Sequence, residues 1–275
     1  MCKNFLERSF DRKEVLLSFM SVCLVLSLLI YNLGYGAGFY VGSNMGSSVK
    51  IIAAKKPKDK IRVKAWQSAI VNTRLHGIDI SEYQFDNYKE LIDSKAKDFV
   101  ICRATVGMQV DQTCDLMYQY AKQQNKLLGV YFYAYPEDTD AEEYADFCAG
   151  AVKGYIGEAV FILDFEEDYD ASWAFKWLDE FEKVTKVKPL LYTNLSMIRE
   201  MDWSQVIDNN TRLWLSYYYV DDGGCYKIPD DTGSWPRKRI CLYQYTTAGL
   251  GQQNTLDLDV FHGNQMDWLD LTKKQ

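Results

Sequence analysis

Between Leu75 and Val260 the chain carries eight short runs rich in apolar, β-branched and aromatic residues. They are Leu75–Ile80, Phe99–Ala104, Leu127–Tyr135, Ala159–Phe165, Pro189–Thr193, Leu213–Tyr218, Ile240–Tyr245 and Thr255–Val260. Each has the length and composition of a buried strand. Stretches with helical spacing separate the early ones: Phe85–Ala96, Asp111–Asn125, Ala141–Tyr155 and Trp173–Thr185. Continuous apolar strands alternating with helices imply a parallel sheet covered by helices. Eight such strands in so short a span imply an α/β fold closed as a compact β/α (TIM-like) barrel. The later connections, "DDGGCYKIPDDTGSWP" and "TTAGLGQQN", read as loops. The expectation is an irregular barrel over residues 74–272 with its late helices missing.

The segment before the barrel has a different composition. Residues 1–14 are a basic lead, and Val15 to Val49 contains no charged residue. A stretch of about 20 apolar residues spans a bilayer as a helix, so residues 15–42 are expected to form a transmembrane anchor or a signal segment. The small-x-small pattern around Gly36–Gly38 makes a poor cleavage site, which favours the anchor. Gly38 and Gly42 form a G-x-x-x-G, a pattern found where such helices pair. Residues 43–73, with "KKPKDKIRVK", read as a basic linker. Basic residues on both sides leave the orientation open by charge alone.

Charge separates the same two regions. Residues 1–74 carry 12 Lys/Arg against 4 Asp/Glu, whereas the remaining 201 carry 19 against 34. An acidic main domain excludes a nucleic-acid partner, whose binding relies on neutralising phosphates. Seven cysteines, none in C-x-x-C, exclude a zinc ribbon or a thioredoxin-type motif. Cys225 and Cys241 flank a Gly/Pro-rich stretch that a disulfide would close in an oxidising compartment; buried free thiols are the alternative.

The barrel pattern gives the acidic residues their meaning. Side chains at the carboxyl ends of barrel strands face one shared pocket. Asp79 ends the first run, in "HGIDISEYQ"; Asp164 and Glu166 end the fourth, in "FILDFEED"; Asp257 and Asp259 lie in the eighth, "TLDLDVF". A period of two puts Asp164 and Glu166 on the same face. Carboxyl groups crowded in a partly dry pocket cannot all ionise, so one keeps its proton at neutral pH. Glycosidic cleavage needs such a pair: an acid for the leaving oxygen, and a negative group for the charge developing on the sugar. Each acid also has a structural reading. Asp79 can cap the turn beside Ser81, and Glu167 and Asp168 can favour the N-terminus of a helix starting near Ala171.

The ordered set "GIDISEYQ", "VICRATVG", "GVYFYAY", "FILDFEE", "PLLYTN", "LWLSYY", "LYQYT" and "LDLDVF" resembles glycoside hydrolase family 25, the N-acetylmuramidase type of lysozyme. The similarity covers about residues 74–270. It implies an irregular β/α barrel that hydrolyses the β-1,4 bond from N-acetylmuramic acid to N-acetylglucosamine in peptidoglycan, with no cofactor and no metal. By resemblance Glu166 is the general acid and then the base. Asp164 steadies the acetamido group or the charge on the sugar, and Asp79 and Asp257 complete the acidic ring. Tyr133, Tyr192, Trp214 and Gln244 fall where the family lines its cleft. Two positions depart from the pattern: Phe132 stands where many members have His, and Asp259 where many have Asn. With peptidoglycan as substrate the domain is expected to face the cell wall, held to the lipid bilayer through residues 15–42 or secreted after cleavage. No wall-binding repeat is recognisable after residue 270, so a tether is expected in its place.

Other chemistries find less support. A chitinase-like D-x-D-x-E would need Asp where Ile162 stands. Only His76 and His262 are available for a serine triad, and G-x-S-x-G, G-x-x-x-x-G-K and H-E-x-x-H are all missing. A metal-dependent all-carboxylate hydrolase and a non-catalytic wall-binding module remain as rivals.

Overall fold

The computed structural model describes residues 74–219, 227–251 and 255–275. The basic lead, the apolar segment 15–42, the linker 43–73 and Cys225 lie outside them. Among the described residues no helix is long and apolar enough to cross a membrane.

The strands are β1 (Leu75–Ile80), β2 (Phe99–Val106), β3 (Gln109–Val110), β4 (Leu127–Tyr133), β5 (Ala159–Asp164), β6 (Leu190–Asn194), β7 (Leu213–Ser216), β8 (Ile240–Thr246) and β9 (Asp257–Phe261). They are hydrogen-bonded in the order β1-β9-β8-β7-β6-β5-β4-β2-β3, and β1 also pairs with β2, so eight of them close a barrel. The helices are α1 (Tyr88–Ser94), α2 (Cys114–Gln123), α3 (Ala141–Ala151), α4 (Ala171–Thr185), α5 (Leu195–Glu200), α6 (Ser204–Asp208) and α7 (Gln265–Leu271).

Each of the eight apolar runs overlaps a barrel strand, and each of the four helical stretches overlaps a helix. The irregularity falls late in the chain. Only a short 3-10 turn, Arg237–Arg239, is described between β7 and β8. The short α5 and α6 were not legible as periodic segments; α5 instead starts where the Asn194 side chain accepts from the Met197 N–H at 3.1 Å. The hairpin to β3 was also not anticipated. Its two-residue turn is Gly107–Met108, with Gly107 at φ 49°, a conformation that favours glycine.

One expectation needs correction: the last strand is not parallel. β9 runs antiparallel to both β8 and β1. The reason is connection length. The link from Thr246 to Asp257 is too short for a parallel crossover, which needs a dozen or more residues.

Apolar side chains form two cores, inside the barrel and between barrel and helices. In α4, Trp173, Ala174, Trp177, Leu178 and Phe181 are buried at helical spacing, the stripe that docks on the sheet. Phe132 packs in this outer layer against Phe161, Trp177 and Phe181, at ring separations of 5.3–6.3 Å. It therefore faces the helices, away from the acidic ring. Inside the barrel, Phe99, Phe261 and Trp268 of α7 form an aromatic floor, with Trp268 stacked on Phe99 at 4.6 Å. Gly77 admits this packing: a Cβ there would lie 2.4 Å from the Phe99 carbonyl oxygen.

Candidate active site

At the opposite end of the barrel the interior turns polar. The strand period delivers Asp79 from β1, Arg103 from β2, Asp164 from β5, Gln244 from β8 and Asp259 from β9, each at most 6% exposed. The antiparallel course of β9 brings its first residue to this mouth, with Asp257 directly opposite Asp79. Asp164 sits at the end of β5 between Tyr133 and Tyr192 on the neighbouring strands. Residues remote in sequence are thus gathered at one end of the barrel.

Hydrogen bonds fix the geometry. Gln244 Nε2 donates to Asp79 Oδ2 at 2.9 Å. Gln244 Oε1 accepts from the hydroxyls of Tyr192 at 2.8 Å and Tyr218 at 2.6 Å, which locks the amide. Trp214 Nε1 donates to Asp259 Oδ1 at 2.9 Å. The Tyr133 hydroxyl donates to Glu167 at 3.2 Å. Gln84, not Asp79, serves the turn, by reaching back to the Ser81 N–H. Glu167 and Asp168 stand just before α4, whose N-terminal Ser172 N–H is capped by Asp170.

The acids titrate far from their ordinary range. Burial pushes Asp79 up to about 6, against the lowering effect of Gln244. Burial and then the nearby charges of Glu166, Asp79 and Asp257 raise Asp164 well above the usual carboxylate value, while Arg103 pulls it down. Asp164 Oδ1 is buried and meets no hydrogen-bond donor among the described residues, which accords with a carboxyl that keeps its proton. Glu166 is open to solvent at the rim. Crowding still desolvates its carboxyl and raises its pKa, with the Tyr192 hydroxyl within hydrogen-bonding reach and Asp79 adding repulsion.

Of the four residues expected to contact glycan, only Tyr133 is appreciably accessible. Tyr192, Trp214 and Gln244 are buried. Trp214 meets Tyr192 edge-on at 4.5 Å, so it forms part of the pocket floor. The sequence reading passed over Arg103, which carries a positive charge into the acidic ring. Its only signal was an arginine within an apolar strand, "VICRATVG". Tyr218, exposed beside Gln244, was hidden in an aromatic run. Cys241 carries a buried free thiol, so the thiol alternative holds at that residue.

These shifts give a pH prediction. A carboxyl whose pKa is raised by folding keeps a proton that the unfolded chain has released, so stability falls as pH rises towards the folded pKa. Half-buried His262, pushed down to about 4 by desolvation, acts oppositely, but only below the unfolded imidazole value of about 6.5. Above that pH the raised Asp164 and Asp259 stand unopposed. Thermal scans should show Tm falling as pH rises above about 6.5. A flat profile would mean that both acids are already ionised.

Comparison with known families fits this geometry. The model of glycosyl hydrolases family 25 matches residues 78–253, well over half of the chain. The chain belongs to glycosyl hydrolase family 25. The matched span includes Asp79, Asp164 and Glu166 and stops just before β9. Among solved structures, a family 25 lysozyme from Aspergillus fumigatus is 22% identical, with a TM-score of 0.54 over 73% of this chain and 100% of that one. A lysozyme from Streptomyces coelicolor is 19% identical, with a TM-score of 0.57 over 72% and 96%. The catalytic domain of endolysin ply40 from Listeria bacteriophage P40 is 22% identical, with a TM-score of 0.54 over 74% and 98%. These likenesses establish the barrel as the shared fold. A comparison with curated proteins finds no match.

Proposed function

We propose that this family 25 glycosyl hydrolase is a muramidase, cleaving the β-1,4 bond from N-acetylmuramic acid to N-acetylglucosamine in peptidoglycan. The observation that carries this reading is the gathering of Asp79, Asp164 and Asp257 around Glu166 at the mouth of the barrel. Glu166 protonates the leaving oxygen. Its raised pKa keeps it protonated to higher pH than a free glutamate, and its exposure lets it reach substrate and then activate water. Asp164 lies deeper; protonated at rest, it meets the acetamido group, and it meets the positive charge developing on the sugar only as it gives up that proton. Asp79 and Asp257 orient the sugar and keep the ring acidic, so the group shares its protons as one titrating set. Tyr133 and Tyr218 offer accessible rings on the rim for stacking on the glycan.

In this reading the barrel faces the cell wall. Residues 15–42 anchor it in the bilayer, and residues 43–73 give it reach. The wall-facing orientation follows from where peptidoglycan lies.

The test is a digest of insoluble peptidoglycan by the compact unit Ala65–Gln275. New reducing ends are converted to alditols and identified by mass spectrometry. The expected product is muramitol, released equally with and without EDTA. Glucosaminitol would assign the other bond, loss of release in EDTA would favour a metal-dependent hydrolase, and binding without release would make the barrel a wall-binding module.

A further inference from the structure

Asp259 is fully buried, yet its two oxygens are treated unequally. Oδ1 accepts from the Trp214 indole at 2.9 Å. No N–H or O–H among the described residues reaches Oδ2. A buried anionic oxygen without a donor is costly, whereas a carboxylic acid turns the same atom into a donor. An acceptor for that proton is at hand. Asp259 lies opposite Gly77 on β1, two residues from Asp79, and the Asp79 and Asp259 side chains are within hydrogen-bonding reach of one another. Counting donors decides which acid is ionised. Asp79 receives the Gln244 amide and its own backbone N–H, while Asp259 receives only the indole. The negative charge belongs on Asp79.

We propose that Asp259 acts as a neutral carboxylic acid that donates its proton to Asp79, holding Asp79 in one orientation and one charge state. Asp259 is thus a positioning residue acting through Asp79, and its part in turnover rests on the hydrolytic reading above. The surroundings favour the neutral form. Asp79 on β1, Asp257 on its own strand and Asp164 on β5 are acidic, and Tyr131 on β4 and Tyr192 on β6 bring no positive charge. Trp214 on β7 and Gln244 on β8 are uncharged, and Arg103 on β2 is engaged by Glu82 and Asp111. Burial and the charge of Asp79 push the Asp259 pKa well above the usual carboxylate range. When alkali ionises Asp259, the bond is lost and two carboxylates repel at the pocket floor.

Asp259→Asn separates the neutral donor from the titrating acid, because the amide still donates to Asp79 but cannot ionise. The first measurement is the infrared difference spectrum of wild type minus variant at neutral pH, which needs no turnover. A protonated-carboxyl carbonyl band in wild type, lost in the variant, is expected. Its absence overturns the proposal whatever the activity. The second is the pH profile of kcat/KM for wild type, Asp259→Asn and Asp259→Leu. Asp259→Asn should exceed Asp259→Leu by at least about tenfold, because the amide still donates to Asp79, while the alkaline limb set by Glu166 is shared by all three proteins. Equal kcat/KM for Asp259→Asn and Asp259→Leu overturns the positioning role. A clear infrared band with no turnover by any of the three proteins would count against the muramidase reading and leave the protonated Asp259 standing.

Discussion

Replacing Glu166 with Gln should lower kcat/KM on peptidoglycan by about 10²- to 10⁴-fold, the usual range for removing a general acid. The amide is nearly isosteric but carries no transferable proton, so leaving-group protonation and water activation are lost together. Glu166 sits at the rim, exposed to solvent, and no strand or helix depends on it. Tm should therefore stay within about 1–2 °C of wild type, as for a surface substitution of under 0.5 kcal/mol. Reducing-end release alongside thermal scans checks both halves. Equal release by the two proteins would remove Glu166 from the mechanism. A large fall in Tm would mean that the lost activity reports unfolding.

Replacing Arg103 with Met should have the largest effect on stability. Arg103 Nε donates to Asp111 at 3.2 Å and Nη2 to Glu82 at 2.7 Å. The Asp111 side chain is fully buried and also accepts from the Glu82 N–H and from the Thr113 N–H and hydroxyl. Those three donors remain after the substitution, but the countercharge does not. Leaving a buried carboxylate without its partner costs about 3–5 kcal/mol, or roughly 10 °C or more in Tm for a barrel of this size. Arg103→Lys should fall between, because one ammonium cannot span both carboxylates as the planar guanidinium does. Losing the positive charge also removes the influence that holds Asp164 down, so Asp164 should release its proton at still higher pH. Denaturant titrations showing a loss below about 1 kcal/mol would mean that Arg103 contributes packing alone.

The strands and the main helices were legible because burial on both faces leaves continuous apolar runs, and docking leaves a 3.6-residue stripe in helices such as α4. The acids at the ends of β1 and β5 were legible for the same reason, since a carboxylate stands out at the edge of an apolar run. The family was legible because its motifs occur in order. Trp214 and Gln244 misled, since nothing in a strand pattern separates a side chain that lines a cleft from one that forms its floor. Phe132 misled differently. A shift of one residue along a strand moves a side chain from the pocket to the helix layer, and only the register reveals it.

By itself, the sequence determined the barrel class, the family and which acids stand at strand ends, because apolar period and chain order are local properties. Only the tertiary structure decided which of those acids meet. Pairing the last strand antiparallel with the first sets Asp257 opposite Asp79 and brings Asp259 within reach of it, and no local pattern records that reversal. It decided charge as well. A carboxyl's pKa depends on burial and on neighbours that come from other strands, so formal charge read along the chain does not give the charge in the pocket.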